Sequence, residues 1–146
     1  MIVQKSDNLT FFIPESKEDA GANFFDTGIS AGFPSPADDF KEQRLSLDEE
    51  LVKNKEATFY ARVSGQSMIG AGLDDNDLLV IDRSLEPENN KIAVCFLDGE
   101  FTVKRLRVSK DEVWLQPENP DYPIIKITSD NNFVIWGIVT NVIKKL

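Results

Sequence analysis

The 146-residue sequence contains no histidine, and this absence excludes whole classes of site. A Ser-His-Asp triad, a Cys-His dyad and the usual histidine-bearing zinc sites all need an imidazole. Neither a P-loop nor the glycine-rich dinucleotide fingerprint occurs in the chain. We therefore expect no metal ion and no cofactor, and any nucleophilic chemistry needs a base other than histidine.

Cysteine, long apolar runs and positive charge are also scarce. The one cysteine, Cys95, cannot form an intrachain disulfide, and its apolar run "IAVCFL" predicts a small core residue. No apolar run approaches a membrane span and no secretory signal is apparent, so we expect a soluble, cytoplasmic protein without a membrane partner. With 16 basic and 25 acidic residues the net charge is -9, which disfavours direct, specific DNA binding.

Most of the pattern in the second half of the chain is β. The run "ATFYARV" alternates in polarity, and "DLLVID" is a short apolar strand. Two β-rich runs flank Asp98-Gly99, the preferred dipeptide of a tight type I′ hairpin. Further strands are expected in "DEVWLQP", "YPIIKIT" and "NFVIWGIVTNVI". This number of short strands predicts a mostly-β sandwich or a partly closed barrel.

The first 34 residues lack sustained periodicity, which predicts an extended arm with no domain of its own. Two helix-start signatures follow. Ser35-Pro36, with Asp38 three positions after the serine, predicts a helix over "PADDFKEQRL". Ser46, with Glu49 at capping-box spacing, predicts a second helix over "LDEELVKN". The expected fold is thus mostly β, with an extended N-terminal arm and short helices.

A candidate nucleophile lies in "ARVSGQSMIGAG", where a glycine-containing turn follows a strand. A base for Ser64 or Ser67 is offered by Lys104 in "EFTVKRL", because alternation turns either Lys104 or Arg105 towards the more apolar surface. A desolvated lysine can lose its proton, whereas an arginine cannot. The residues therefore allow a Ser67–Lys104 dyad. They also allow a plain Ser-Gly turn and a solvent-facing strand lysine, which is the usual meaning of such residues.

Several stretches together resemble the LexA/UmuD family of self-cleaving Ser-Lys peptidases, peptidase family S24. They are "SGQSM", "IGAGLDDNDLLVID", "DGEFTVKRL" with its lysine 37 residues after the serine, and "SAGFPSPADDFKEQRLSL", which is similar to the family's processed segment. The resemblance runs from about residue 30 to the C-terminus. It implies that Ser67 is the nucleophile, that Lys104 is the general base and that the Ala31–Gly32 bond is cut. The backbone N–H groups of Ser67 and Gln66 would form the oxyanion hole, and Ser64 would be a turn residue.

The resemblance also implies an organisation and a biological role. Residues 1–31 would be an arm removed by self-cleavage, and residues 32–146 a Ser-Lys peptidase-like β domain. Cleavage would be stimulated by the RecA filament on single-stranded DNA in the bacterial SOS response to DNA damage. The trimmed homodimer would then join a UmuC-like subunit of a Y-family translesion polymerase. Its interface is expected to include apolar residues of the last strand, namely Phe133, Ile135 and Ile138.

Three positions and three alternatives complete the sequence hypothesis. Asn76 replaces a glycine usual in the family, and asparagine tolerates the left-handed conformation that the turn needs. Asp77 and Asp82 are interpreted as structural, not as a third catalytic member.

The alternatives are a non-catalytic polymerase accessory protein of the same fold, a LexA-like repressor fragment, and a signal-peptidase-like enzyme, which would need a membrane anchor.

Overall fold

The chain divides into two compact units. The computed structural model describes residues 2–5, 9–14, 22–25, 31–32 and 42–146. The large unit combines Met1–Pro14 with Asn54–Leu146, and the small unit covers Glu15–Lys53. The N-terminal fourteen residues therefore group with the C-terminal two thirds of the chain and not with the segment that follows them.

The large unit is built on one antiparallel sheet. The strands of the described residues, in chain order, are β1 (Ile2–Lys5), β2 (Leu9–Phe12), β3 (Ala22–Phe25), β4 (Glu42–Leu45), β5 (Thr58–Val63), β6 (Leu78–Asp82), β7 (Ile92–Leu97), β8 (Glu100–Val108), β9 (Val113–Gln116), β10 (Ile125–Lys126) and β11 (Phe133–Ile143). Nine of these form a sheet in the order β1-β2-β5-β6-β11-β7-β8-β9-β10, which curls into a half-barrel. The mostly-β fold predicted from the sequence is confirmed.

The hairpin between β7 and β8 forms where the sequence predicts it. Asp98 and Gly99 both have positive φ, 49° and 90°, as a type I′ turn requires. The tight turn fixes the register, in which Ala93 pairs with Lys104 and Cys95 with Thr102. The hairpin thereby determines which β8 side chains face each apolar layer.

The N-terminal residues supply strands that the sequence pattern did not reveal. Strand β2 pairs antiparallel with β5, with Leu9 opposite Val63. Leu9 and Phe11 are only 2% and 1% exposed. The Phe11 ring lies 5.0 Å from the ring of Phe101 and 4.7 Å from that of Trp136. This segment is therefore an integral part of the sheet and of the hydrophobic core.

Among the residues that the structure describes, the buried core forms two hydrophobic clusters. The first cluster contains Leu9, Phe11, Ala61, Met68, Leu73, Leu79, Ile81, Val94, Phe101 and Val103. The second cluster contains Ala93, Cys95, Leu106, Leu115 and Ile138. Strand β8 contributes Phe101 and Val103 to the first cluster and Leu106 to the second, so both of its faces carry core residues. Lys104, in the middle of this strand, is 7% exposed.

The small unit contains a two-stranded sheet and a short helix. Strand β3 pairs antiparallel with β4, from Ala22 opposite Leu45 to Phe25 opposite Glu42. The helix predicted over residues 36–45 is therefore wrong over Glu42–Leu45, because pairing with β3 satisfies the backbone there; residues 36–41 lie outside the described part.

The helix predicted after Ser46 is present but shorter than expected. Helix α1 covers Leu47–Leu51 with Ser46 as its N-cap residue, although the Ser46 side chain makes no capping hydrogen bond. A 3-10 turn over Lys55–Ala57 follows in the large unit. Within the described ranges, no helix is long and apolar enough to cross a membrane.

Candidate active site

Ser67 lies on a turn that leaves the end of β5. Gly65 adopts φ 110°, a conformation that side-chain-bearing residues rarely take, and its N–H donates to Asp75 Oδ1 at 2.9 Å. Met68 is 3% exposed in the first core cluster, and its carbonyl accepts hydrogen bonds from the Ala71 and Leu73 N–H groups. The turn is thus fixed on both sides of Ser67, while the Ser67 side chain stays half-buried.

Lys104 on β8 reaches this serine. Lys104 is 7% exposed, and its Nζ lies 3.0 Å from Ser67 Oγ, 2.7 Å from Thr102 Oγ1 and 3.0 Å from the Val103 carbonyl oxygen. A charged ammonium has three protons to donate, so these three oxygens satisfy it completely. The two residues of the predicted dyad therefore meet within hydrogen-bonding distance.

The same contacts direct the lone pair of a neutral Lys104. A neutral amine keeps two protons, and the Val103 carbonyl can only accept one of them. If Thr102 accepts the other, the lone pair points at the third partner, the Ser67 hydroxyl, which then donates to Nζ. This is the geometry required for proton transfer from a serine nucleophile to a lysine base.

Burial makes the neutral form accessible. It lowers the pKa of Lys104, because the charged ammonium loses its hydration in the protein interior. Cys95 acts in the opposite direction on the pKa of Lys104, but its effect is the smaller one, and burial raises the pKa of the thiol itself to about 12. Cys95 is fully buried and free, as the sequence predicted.

The Ser67–Lys104 pair opens into a cleft of about 300 Å³. Its lining includes Val63 and Leu9 as well as the serine turn and the beginning of β8. This volume is at the lower end of the range for ligand sites. It suits a short length of extended backbone with small side chains. Leu9 forms part of the wall, so the N-terminal strand helps to shape the cleft.

The backbone around Ser67 offers free donors. Among the described residues, no acceptor bonds the N–H groups of Gln66 and Ser67. Unpaired N–H groups beside a nucleophile are the usual material of an oxyanion hole. No group of three or more potential metal-ligating side chains occurs in the part of the chain that the structure describes.

Asp77 and Asp82 have structural partners, in line with the sequence interpretation. Burial by itself would raise the pKa of Asp82, but hydrogen bonds from Ser84 and Asn54 outweigh it and lower the pKa. Asp77 is similarly buried, and its pKa is lowered by bonds from Lys144 and from the Asp74 N–H. Neither carboxylate bonds to Lys104 or Ser67. Asn76 adopts φ 73°, the left-handed conformation expected of it.

The remaining predicted residues are those of the cleavage site and of the expected dimer interface. Ala31 and Gly32 belong to the small unit and are exposed. Phe133 and Ile135 are half-buried, whereas Ile138 is 3% exposed within the second core cluster. Ile138 is therefore unsuited to an interface, since strands of its own chain cover it.

Sequence reasoning missed three contributors to the site. They are the oxygens of Thr102 and Val103, the cleft wall at Leu9, and Asn119, whose side chain bonds to the serine turn. Only Thr102 carried a signal, because a hydroxyl two residues before a strand lysine lies on the same face.

Comparison with known proteins assigns the class. The model of the family described as Peptidase S24-like matches residues 23–140, so the chain belongs to that family of serine peptidases. Within the family the chain is UmuD-like. It is 45% identical to Protein MucA of Salmonella typhimurium over 119 residues, which cover 81% of each chain. It is 44% identical to Protein ImpA of Shigella flexneri over 115 residues, or 79% of this chain and 78% of the relative.

A repressor is a further relative. The LexA repressor of Delftia acidovorans is 38% identical over 116 residues, which cover 80% of this chain but 51% of the repressor. The shared part is thus about half of that protein.

Proposed function

We propose that this protein is a self-processing serine endopeptidase that cuts its own Ala31–Gly32 bond with Ser67 and Lys104. The observation that carries the proposal is the 3.0 Å contact between Lys104 Nζ and Ser67 Oγ, in a site where the lysine is almost fully buried. Membership of a serine peptidase family supports the same chemistry. The cleavage site rests on the resemblance of the segment around residues 30–47 to the processed segment of the family.

The reaction would proceed through an acyl-enzyme. Neutral Lys104 takes the proton of the Ser67 hydroxyl while Oγ attacks the carbonyl carbon of Ala31. The resulting oxyanion accepts hydrogen bonds from the backbone N–H groups of Ser67 and Gln66. The Lys104 ammonium then protonates the departing Gly32 amine as the C–N bond breaks. Water, deprotonated by Lys104, hydrolyses the ester, which releases the Ala31 carboxylate and restores Ser67.

The biological role we propose is that of a UmuD-like protein in SOS mutagenesis. The RecA filament on single-stranded DNA would stimulate the cut, and residues 32–146 would serve a UmuC-like, Y-family polymerase as an accessory subunit. Similarity to MucA and ImpA over about four fifths of the chain supports this role. The net charge of -9 fits partners that are reached through protein surfaces and not through direct binding to DNA.

Self-cleavage should accelerate with pH. Below the pKa of Lys104, each pH unit raises the neutral, reactive fraction about tenfold, and above that pKa the rate should level off. Because burial lowers this pKa, the plateau should begin below the ordinary lysine value of about 10.4. Intact-mass spectrometry of the purified protein, incubated from pH 7 to 10.5, should show one cut, between Ala31 and Gly32. A chain that stays intact at every pH would instead favour the non-catalytic accessory protein.

We also expect a homodimer, formed through exposed apolar side chains of β11. Val134, Val142 and Ile143 are large aliphatic residues of this strand that are 52%, 39% and 39% exposed. Sedimentation equilibrium at micromolar concentration should give twice the monomer mass, and Val134→Glu should shift the population to monomer because it buries a charge in the contact. Lys110→Glu, an exposed charge change between β8 and β9, is the control. A monomer at every concentration would contradict the expectation.

A further inference from the structure

The segment after β9 is fastened to the serine turn. The Gly70 N–H donates to the Glu118 carbonyl oxygen at 2.7 Å, and a Cβ at Gly70 would lie only 2.5 Å from that oxygen. The Glu118 side chain also forms an ion pair with Arg105, the residue after Lys104 on β8. The segment therefore joins the strand that carries the base to the turn that carries the nucleophile.

Asn119 completes this junction with both ends of its amide. Its Nδ2 donates to the Gln66 carbonyl oxygen at 2.9 Å, and its Oδ1 accepts the Asp121 N–H at 3.0 Å. One partner can only accept and the other can only donate, so the orientation of the amide is chemically determined. The residue is 8% exposed, and its side-chain hydrogen bonds go to Gln66 and Asp121, not to Ser67 or Lys104.

The carbonyl that Asn119 holds belongs to the peptide that carries the Ser67 N–H, which has no acceptor among the described residues. The Gln66–Ser67 peptide is planar and trans, because the structure has no cis peptide among its described residues. The Gln66 C=O and the Ser67 N–H therefore point in opposite directions. The Ile69 N–H also reaches the Gln66 carbonyl oxygen, at 3.4 Å, so the Asn119 bond at 2.9 Å is the shorter of two. A short bond from a donor behind the carbonyl fixes the plane of the peptide, and with it the direction of the N–H.

We propose that Asn119 is a positioning residue for the oxyanion hole, because its side-chain amide holds the Gln66–Ser67 peptide with the Ser67 N–H directed at the developing oxyanion. The inference rests on the proposed self-cleavage and adds to it a residue that touches neither the nucleophile nor the base. The ordinary alternative is that Asn119 merely shapes the turn at residues 119–121.

Asn119→Asp separates the two roles. A carboxylate keeps the acceptor for the Asp121 N–H, so the turn is preserved, but it presents an oxygen to the Gln66 carbonyl in place of the donor. Removal of one oxyanion donor typically costs about 10²–10³ in rate. Because Asn119→Asp misdirects a donor without removing it, we expect cleavage on the alkaline plateau to fall about tenfold to a hundredfold. Asn119→Ala should show a similar fall with an unchanged midpoint of the rate–pH profile, since the surroundings of Lys104 are intact.

Asn89→Asp is the matched control. Asn89 Oδ1 also accepts a backbone N–H, from Val108, and the residue is exposed and does not line the cleft. The variant adds the same charge as Asn119→Asp and keeps the acceptor, so its rate should equal that of the unmodified protein. Cleavage by Asn119→Asp at the rate of the unmodified protein would overturn the inference. It would also be overturned if the lower rate of Asn119→Ala came from a shifted midpoint of the rate–pH profile.

A second measurement judges the contact without any cleavage. In the Ser67→Ala background, the carbonyl 13C resonance of Gln66 reports its hydrogen bond, and it should move upfield when Asn119→Ala is added. If the Gln66 carbonyl resonance does not move, the inference is overturned, even if the unmodified protein does cut itself. An intact wild-type chain at every pH would instead refute the proposed function, and the resonance would still decide whether Asn119 holds the peptide.

Discussion

Ser67→Ala should abolish self-cleavage, and Lys104→Ala should do the same. Loss of either residue should lower the cleavage rate by about four orders of magnitude or more, because the nucleophile and the base act together in the same step. Lys104→Arg should not restore cutting, since a guanidinium stays protonated and cannot take the proton from Ser67. The readout is the fraction of intact chain by mass spectrometry over time on the alkaline plateau.

Ser64→Ala is the control that tells the two serines of the turn apart. Ser64 is exposed and makes no contact with Lys104, so this variant should still cut. Circular dichroism should show that all variants remain folded, because Ser67→Ala removes a single hydroxyl. Alkaline cutting of Ser67→Ala at the same bond would refute the dyad.

Phe11→Ala should lower the free energy of unfolding by about 3–5 kcal/mol, the usual cost of truncating a fully buried phenylalanine. The ring is 1% exposed and lies against Phe101 and Trp136, so its removal leaves a cavity in the first core cluster. Urea denaturation in the Ser67→Ala background, where the chain stays uncut, measures the change. An effect of this size would show that the N-terminal segment is part of the folded core.

Ile13→Ala provides the comparison within the same segment. Ile13 follows β2 and is 43% exposed, so its truncation should change the free energy of unfolding by about 0.5 kcal/mol or less. Equal urea-denaturation midpoints for Phe11→Ala and Ile13→Ala would mean that Phe11 does not pack as described. The N-terminal residues would then be an arm without a place in the core.

The strands of the second half could be predicted because their signals are local. The alternating polarity of β5 and the Asp98-Gly99 turn can each be recognised from a few neighbouring residues. Strand β2 has no such signal, since "LTFF" is four residues long and becomes a strand only by pairing with β5, about fifty residues further along the chain. The error at Glu42–Leu45 has the same origin, because "EQRL" favours a helix until β3 offers a partner.

The candidate site shows the same division between local and distant information. Spacing and family resemblance were enough to pair Ser67 with Lys104. The buried environment of Lys104 was not readable, because it depends on both apolar layers beside β8. Asn119 was invisible for a further reason, since an asparagine between two prolines is typical of an ordinary turn.

The location of the cut relative to the strands changes what cutting means. The Ala31–Gly32 bond lies between two ladders, β2 with β5 and β3 with β4, each of which joins the two sides of the bond. The proposed hydrolysis would break one covalent link and none of these hydrogen bonds. It would convert the docking of residues 1–31 from a concentration-independent step into a bivalent association governed by mass action. Dilution, or a competitor for the edge of β5, would then decide when the two pieces separate.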